Sequence, residues 1–194
     1  MAKKYCVLIG DIVRSRDIEK RKSFQKDFVN LLSKINKKFS SQILSEFTVT
    51  LGDEFQGVLR SPADSYEIMA ELSELFYPIE VRFGLGWEII TTEIKKKAIG
   101  MDGPAFHLAR QAIDQAKDSG KLIVYLTRSR EKDLALNALT LAILEIKKAL
   151  TKRQRLAVAL YKKHGTQAVA AKAMKVDRTT LAKMLKAAQL ENLL

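Results

Sequence analysis

The chain has 194 residues, 47% of them apolar, one cysteine (Cys6) and a formal net charge of +12. That length suits one sizeable domain, or a medium domain with a small one attached. A lone cysteine excludes an intramolecular disulfide and a cysteine-based metal site, and it fits a reducing compartment. The longest apolar run, Leu134 to Ile146, is broken by Asn137 and Glu145 and is too short to span a bilayer. The opening residues run into Asp11 without a small-residue cleavage site, so a cytoplasmic protein with no membrane partner is expected. The charge is uneven. From Ile146 onward twelve Lys and Arg stand against Asp177 and Glu191, which places +10 of the total in the last quarter. A near-neutral body with a strongly basic tail points to a polyanion partner for the tail.

In chain order, Tyr5 to Ile9 is a short apolar run ending at Gly10-Asp11, read as a buried strand. Arg14-Ser15-Arg16-Asp17 is a polar link. Phe24, Phe28, Leu31, Leu32, Ile35 and Phe39 recur at helical spacing and predict a helix from about Ile18 to Phe39. Phe47, Val49 and Leu51 alternate with Thr48 and Thr50, and a second apolar run goes from Phe55 to Leu59. Gly52-Asp53 between them predicts a hairpin with a type II′ turn and two acids, Asp53 and Glu54, at its tip. Ser61-Pro62-Ala63-Asp64 is a helix start, with Ser61 as cap and Pro62 at the first position, and that helix stops before Pro78.

Ile79 to Thr92 reads as a strand containing Arg82-Phe83-Gly84-Leu85-Gly86. Two glycines inside a strand weaken it unless backbone or ligand must approach closely. Lys95-Lys96-Lys97 reads as a solvated turn. Asp102-Gly103-Pro104 opens a helix with Leu108, Ala109, Ala112, Ile113 and Ala116 on one face, closed by Gly120. Lys121 to Thr127 is a strand, and Glu131 to Leu150 a long helix. Thr151 opens a basic helix ending at His164-Gly165. Thr166 caps a second helix, with Val169, Ala170 and Ala173 inward. Asp177 caps a third, with Leu181 and Leu185 inward and Arg178, Thr179, Thr180, Lys183 and Lys186 outward. That is helix-turn-helix spacing, although small helical bundles on basic tails also serve as dimerisation modules.

The fold class is therefore α+β: a ferredoxin-like βαββαβ core followed by a small all-α domain. In such a core the helix crossover makes the second strand run parallel to the first, so the end of the first strand and the hairpin tip share one sheet edge. Asp11 and Asp53 can meet there. They are either unrelated turn acids or a carboxylate pair suited to Mg²⁺, which takes one or two carboxylates and leaves other positions to water and phosphate. Arg14 and Arg16, with the amides opening the first helix, are the candidate phosphate ligands. Phe106 reads as core, and His107 as a partly exposed helix histidine rather than a general base.

Gly10-Asp11-Ile12-Val13, Gly52-Asp53, Arg82-Phe83-Gly84-Leu85-Gly86 and Ala105 to Arg110, ending in Gly120-Lys121-Leu122-Ile123-Val124, resemble class III nucleotidyl cyclase domains in kind and order. Gly52-Asp53-Glu54-Phe55 also resembles the signature of diguanylate cyclases, with Leu51 in place of their first glycine. Asp11-containing Gly10-Val13, Gly52 to Gly57 and Asp102 to Phe106 resemble the pattern of the SatD family, bacterial proteins of poorly defined function. The resemblance covers about residues 4 to 128. It implies a fold of nucleotidyl cyclase type, a nucleoside triphosphate or related nucleotide as ligand, and Mg²⁺ or Mn²⁺ held by Asp11, Asp53 and the Ile12 backbone carbonyl. It also implies a charge-stabilising role for Arg110 in an active enzyme. Two departures stand out. Phe106 lies where cyclases place an asparagine, and Val49 lies where they place a purine-reading lysine. One lost oriented polar group costs about 10²–10³ in rate, which argues against an efficient purine cyclase.

Val169 to Leu181 resembles the helix-turn-helix of bacterial regulators, including the promoter-reading region of sigma factors. This implies DNA contacts by Arg178, Thr179, Thr180, Lys183 and Lys186 in the major groove, and a homodimer. The resulting division is 1–130 nucleotide-binding, 131–150 connecting helix and 151–194 DNA-binding. The expected function is a cytoplasmic regulator whose nucleotide-binding body adjusts the DNA affinity of its tail. The alternatives are a metal-dependent nucleotidyl cyclase or other phosphoryl-transfer enzyme, and a non-catalytic interaction module.

Overall fold

The computed structural model describes residues 2–17 and 21–188. The expected start of the first helix at Ile18, and the last residues of the tail, lie outside the described residues. Five strands are formed: β1 (Tyr5–Ile12), β2 (Ile43–Leu51), β3 (Glu54–Leu59), β4 (Val81–Glu88) and β5 (Ile123–Leu126). They make one mixed sheet in the order β2-β3-β1-β4-β5. The first four are antiparallel to their neighbours, and β5 joins β4 in parallel. Helices α1 (Arg21–Lys38), α2 (Ser65–Phe76), α3 (Pro104–Ser119) and α4 (Arg130–Ala149) alternate with the strands. The βαββαβ order read from the sequence is thus formed, with β5 added beyond β4.

The strand period sorts side chains to two faces. Cys6, Leu8 and Ile12 join Phe28, Phe55, Phe76 and Phe83 in the larger core, against α1 and α2. Val7 and Ile9 join Ala105, Phe106, Ala109 and Ile113 on the α3 face. Cys6 is fully buried and its thiol is pushed up to about 12 by that burial, with Asp64 adding to the shift. It is a core residue and no nucleophile. The hairpin turn matches its chemistry. Gly52 takes φ +61°, and among the described non-glycine residues only Arg14 and Lys175 have positive φ. A positive first and negative second turn residue is what type II′ requires.

Both edge strands are covered at one point by an asparagine. Asn36 receives the Phe47 N–H (2.7 Å) and donates to its carbonyl (3.0 Å). Asn137 does the same for Tyr125 of β5, at 2.9 and 2.8 Å. Each amide satisfies a backbone pair that would otherwise offer a template for edge pairing.

Two elements differ from the sequence reading. β4 spans Val81–Glu88 rather than Ile79 to Thr92. Beyond it the chain turns away, and Thr91 and Thr92 donate their N–H groups to the Asp102 carbonyl. The helix after Ser61 starts with a 3₁₀ turn, Pro62–Asp64, which Ser61 caps before α2 begins at Ser65.

The chain divides into two compact units, the first through Asn137 and the second from Ala138. The second contains α5 (Lys152–His164), α6 (Gln167–Met174) and α7 (Arg178–Ala187). Thr151 and Gln154 form a capping box on α5, Thr166 caps α6 and Asp177 caps α7. Gly165 and Lys175 end α5 and α6 in the left-handed region. Ala157, Ala170, Ala171, Leu181 and Leu185 are the small core of the unit. The sequence reading turned Val169 and Ala173 inward; they are exposed, and Ala171 is buried in their place. Ala170 and Ala171 meet Ala157 of α5 and Leu181 and Leu185 of α7 in that core.

Candidate functional site

The site lies where β1 ends, on the sheet face covered by α3. Asp11 is opposite Glu54 on β3 and opposite Arg82 on β4. All three belong to the strand positions that face α3. That helix sits very close to the sheet. A Cβ on Gly84 would collide with the backbone of Ile113 and Ala109, and one on Gly86 with the backbone of Ala105 and Ala109. The paired glycines therefore admit helix backbone, not ligand. The close fit fixes where Arg110 and Lys117 of α3 emerge.

Asp11 is buried and doubly paired. Its Oδ1 lies 3.1 Å from Lys117 Nζ, and its Oδ2 lies 3.3 Å from Arg82 Nη1. Arg82 is itself oriented by its Nε, which donates to the Lys121 carbonyl. Glu54 is also buried, so it is not a solvated tip residue. It takes a two-pronged pair from Arg110, at 2.5 and 2.6 Å, and a hydrogen bond from the Thr50 hydroxyl at 3.1 Å. The Glu54 carboxylate holds the Arg110 guanidinium above its ordinary value against the opposing effect of burial, and Asp114 and Asp11 add to the shift. Such a bidentate pair sets position as well as charge.

Asp53 comes beside this cluster through the backbone: the Ile12 N–H donates to its carbonyl at 3.4 Å. Arg14 and Arg16 are exposed in the turn just after β1. Arg14 has φ +54°, and its carbonyl accepts the Asp17 N–H. A non-glycine residue held there is strained by about 1 kcal/mol or more. Phe106 is buried in the smaller core, and His107 is exposed, 2.9 Å from Asp102. A shallow recess of about 500 Å³ on the outer side of α3 is bordered by His107, Arg110, Gln111 and Asp114.

Sequence reasoning missed Arg82, Lys117, Glu54 and Thr50 as members of this cluster. One signal was available. Val58 shares a parity with Glu54 and Gln56, and an apolar residue there marks that side of the strand as covered. The pairing of Lys117 with Asp11 had no sequence signal, because it depends on how closely α3 approaches.

The donor set does not fit a divalent cation. Both Asp11 oxygens are engaged by cationic groups and both Glu54 oxygens by Arg110. Of the three acids, Asp53 alone makes no side-chain hydrogen bond or ion pair with a described residue. Mg²⁺ needs oxygen ligands at about 2.0–2.1 Å in near-octahedral geometry, and this arrangement does not offer them.

The SatD family model matches residues 5–194. The chain belongs to the SatD family. No curated protein matches it. Among solved structures it is similar to the guanylate cyclase domain of a Catenaria anguillulae protein in complex with GTP, at 18% identity and TM-score 0.45, over 58% of this chain and 72% of that one. It is similar to a bacterial light-regulated adenylyl cyclase at 13% identity and TM-score 0.45, over 63% and 74%. It is also similar to a GGDEF domain from Pseudomonas aeruginosa at 17% identity and TM-score 0.46, over 66% and 83%.

No helix among the described residues of this SatD protein is long and apolar enough to cross a membrane. In its second unit Arg178, Thr179, Lys183 and Lys186 are exposed, Thr180 is partly so, and Leu181 and Leu185 are buried. Asp177 accepts the Thr180 N–H at 2.7 Å and its hydroxyl at 2.5 Å. These contacts, the Thr180 hydroxyl first, hold the Asp177 carboxyl below the ordinary range.

Proposed function

We propose that this SatD protein is a ligand-responsive DNA-binding regulator. Its first unit takes the phosphates of a nucleoside triphosphate or related nucleotide at the end of β1, and its second unit takes duplex DNA. The observation that carries the first half is the gathering of Arg82, Arg110 and Lys117 at one sheet edge, with exposed Arg14 and Arg16 in the next turn. Guanidinium and ammonium groups on rigid elements are suited to phosphate recognition. Arg110 contributes position and charge, held by Glu54.

For the second half, α6 and α7 are joined by the three residues Lys175, Val176 and Asp177, and the exposed side of α7 carries Arg178, Thr179, Lys183 and Lys186. In the proposed docking, the first two reach base edges and the lysines reach phosphates. A homodimer belongs to this reading, since two such helices would then read two half-sites. Residues 151–194 are the DNA-binding part in this division, and 1–130 the nucleotide-binding part.

The second reading is an enzyme that uses Mg²⁺ or Mn²⁺ at Asp11 and Asp53, which requires Lys117 and Arg82 to give up their pairing with Asp11. What favours it is the backbone bond from Ile12 to Asp53, which brings the two acids to one edge. Calorimetric titration of ATP and GTP, with the ligand recovered and checked for conversion, separates the readings. Binding without conversion supports the regulator, and conversion supports the enzyme. No binding of either nucleotide refutes both readings of the first unit.

A further inference from the structure

We propose that Lys117 is a built-in replacement for a divalent cation, so that this site takes a nucleotide's phosphates without a metal. The inference rests on the nucleotide reading above for its ligand, and on the side chains alone for its cation. Asp11 is the acid that a metal would need first. It is buried, with one cationic nitrogen at 3.1 Å from Oδ1 and another at 3.3 Å from Oδ2. A carboxylate so neutralised has little left for a dication, and a dication placed beside it would meet the repulsion of Lys117 and Arg82 at short range.

The position of Lys117 follows from the fold. The glycines of β4 bring the α3 backbone against the sheet, so the residue two turns beyond Arg110 stands over the end of β1. Its side chain is 38% exposed. The side chain is thus partly open to solvent, and an ammonium paired with one carboxylate oxygen still has N–H donors for an incoming oxygen. Arg82 and Arg110 are placed by the Lys121 carbonyl and by Glu54. Three fixed cations thus stand around two buried acids. The charge that a metal would bring to a triphosphate is supplied by side chains whose positions are set before the ligand arrives.

The test has a metal arm and a nucleotide arm. Mn²⁺ is titrated into the full chain without nucleotide, and the free ion is followed by electron paramagnetic resonance. Wild type is expected to leave the free signal as in buffer, as is Lys117→Arg. Lys117→Gln, which uncovers Asp11, is expected to take up Mn²⁺, and Lys117→Gln with Asp11→Asn to lose that uptake. Uptake by wild type that Asp11→Asn abolishes overturns the proposal, as does a Lys117→Gln chain that takes up no more than wild type. Trp87 fluorescence confirms that each variant is folded. In the second arm ATP and GTP are titrated in EDTA and in Mg²⁺. Wild type is expected to bind about equally well in both, and Lys117→Gln to bind at least about tenfold more weakly in EDTA, a loss of roughly 1.4 kcal/mol. Binding by wild type only with Mg²⁺ overturns the inference while the nucleotide reading stands. Binding under neither condition refutes the nucleotide reading, and with it the claim of metal-free phosphate binding.

Discussion

Removing Arg110 should destabilise the first unit more than removing the acid it pairs with, because of what each change leaves behind. Glu54 is 7% exposed, and without Arg110 its carboxylate keeps only the Thr50 hydroxyl at 3.1 Å. An uncompensated buried charge costs about 3–5 kcal/mol. Arg110 has a side chain 47% exposed, so solvent reaches this pair and lowers the figure for Arg110→Ala to about 2–3 kcal/mol. Glu54→Ala leaves the opposite orphan, a half-exposed guanidinium that can turn into water, and costs about 1 kcal/mol. The double variant removes the buried orphan and should be more stable than Arg110→Ala alone. The assay is urea unfolding of the three variants. Its probe is the fluorescence of Trp87, the one tryptophan of the chain, which lies on β4 and reports on the first unit. Equal costs for the two single changes, or a double variant no more stable than Arg110→Ala, would refute the claim that Glu54 is the buried and dependent partner.

Gly84→Ala should cost up to about 3 kcal/mol, since its methyl group meets α3 backbone that cannot move aside. Gly120→Ala, with open space around the new Cβ but φ +66°, should cost only about 1–2 kcal/mol in the same unfolding assay. Lys175→Gly should slow amide hydrogen exchange in α6 and α7 by a factor matching roughly 0.5 kcal/mol, because Lys175 holds φ +56°. Glu88 has a carboxyl held below its ordinary value, by Lys4 first, then the Ile89 N–H and the more distant Arg128, against burial. A depressed folded-state value gives stability that is present above the unfolded-state value, near pH 4.3, and is lost as pH falls through the folded-state value. Glu88→Gln should therefore lower stability at pH 7 and flatten the acid limb of a stability–pH curve below roughly pH 4.5.

Local chemistry made much of the fold legible. Gly52-Asp53 determined the hairpin because few residues tolerate the turn's positive φ. Thr151, Thr166 and Asp177 marked helix starts because their side chains accept otherwise unmatched backbone N–H groups. What stayed hidden depends on distance between elements. The β4 glycines announced a close approach without saying to what, and α3 is the answer. Asp11 and Glu54 looked like free acids because their cations, Lys117 and Arg110, lie far along the chain and reach them only once α3 is seated. The β-branched run Ile89-Ile90-Thr91-Thr92 resembled strand, yet β4 ends at Glu88, opposite Tyr5, the first residue of β1. Val169 is apolar yet 48% exposed, while the smaller Ala170 and Ala171 are the buried residues of α6.

The central claim is that DNA is bound by the second unit and that its affinity responds to nucleotide. The most direct test is fluorescence anisotropy of a labelled mixed-sequence duplex titrated with the full chain, with and without saturating ATP or GTP, at several salt concentrations. The account predicts binding that weakens steeply with salt, and a log–log slope reduced by about 2 in Lys183→Ala/Lys186→Ala. It also predicts an affinity moved at least about fivefold by one of the nucleotides. An affinity that nucleotide leaves unchanged, or a salt slope that the α7 variant leaves unchanged, would contradict it.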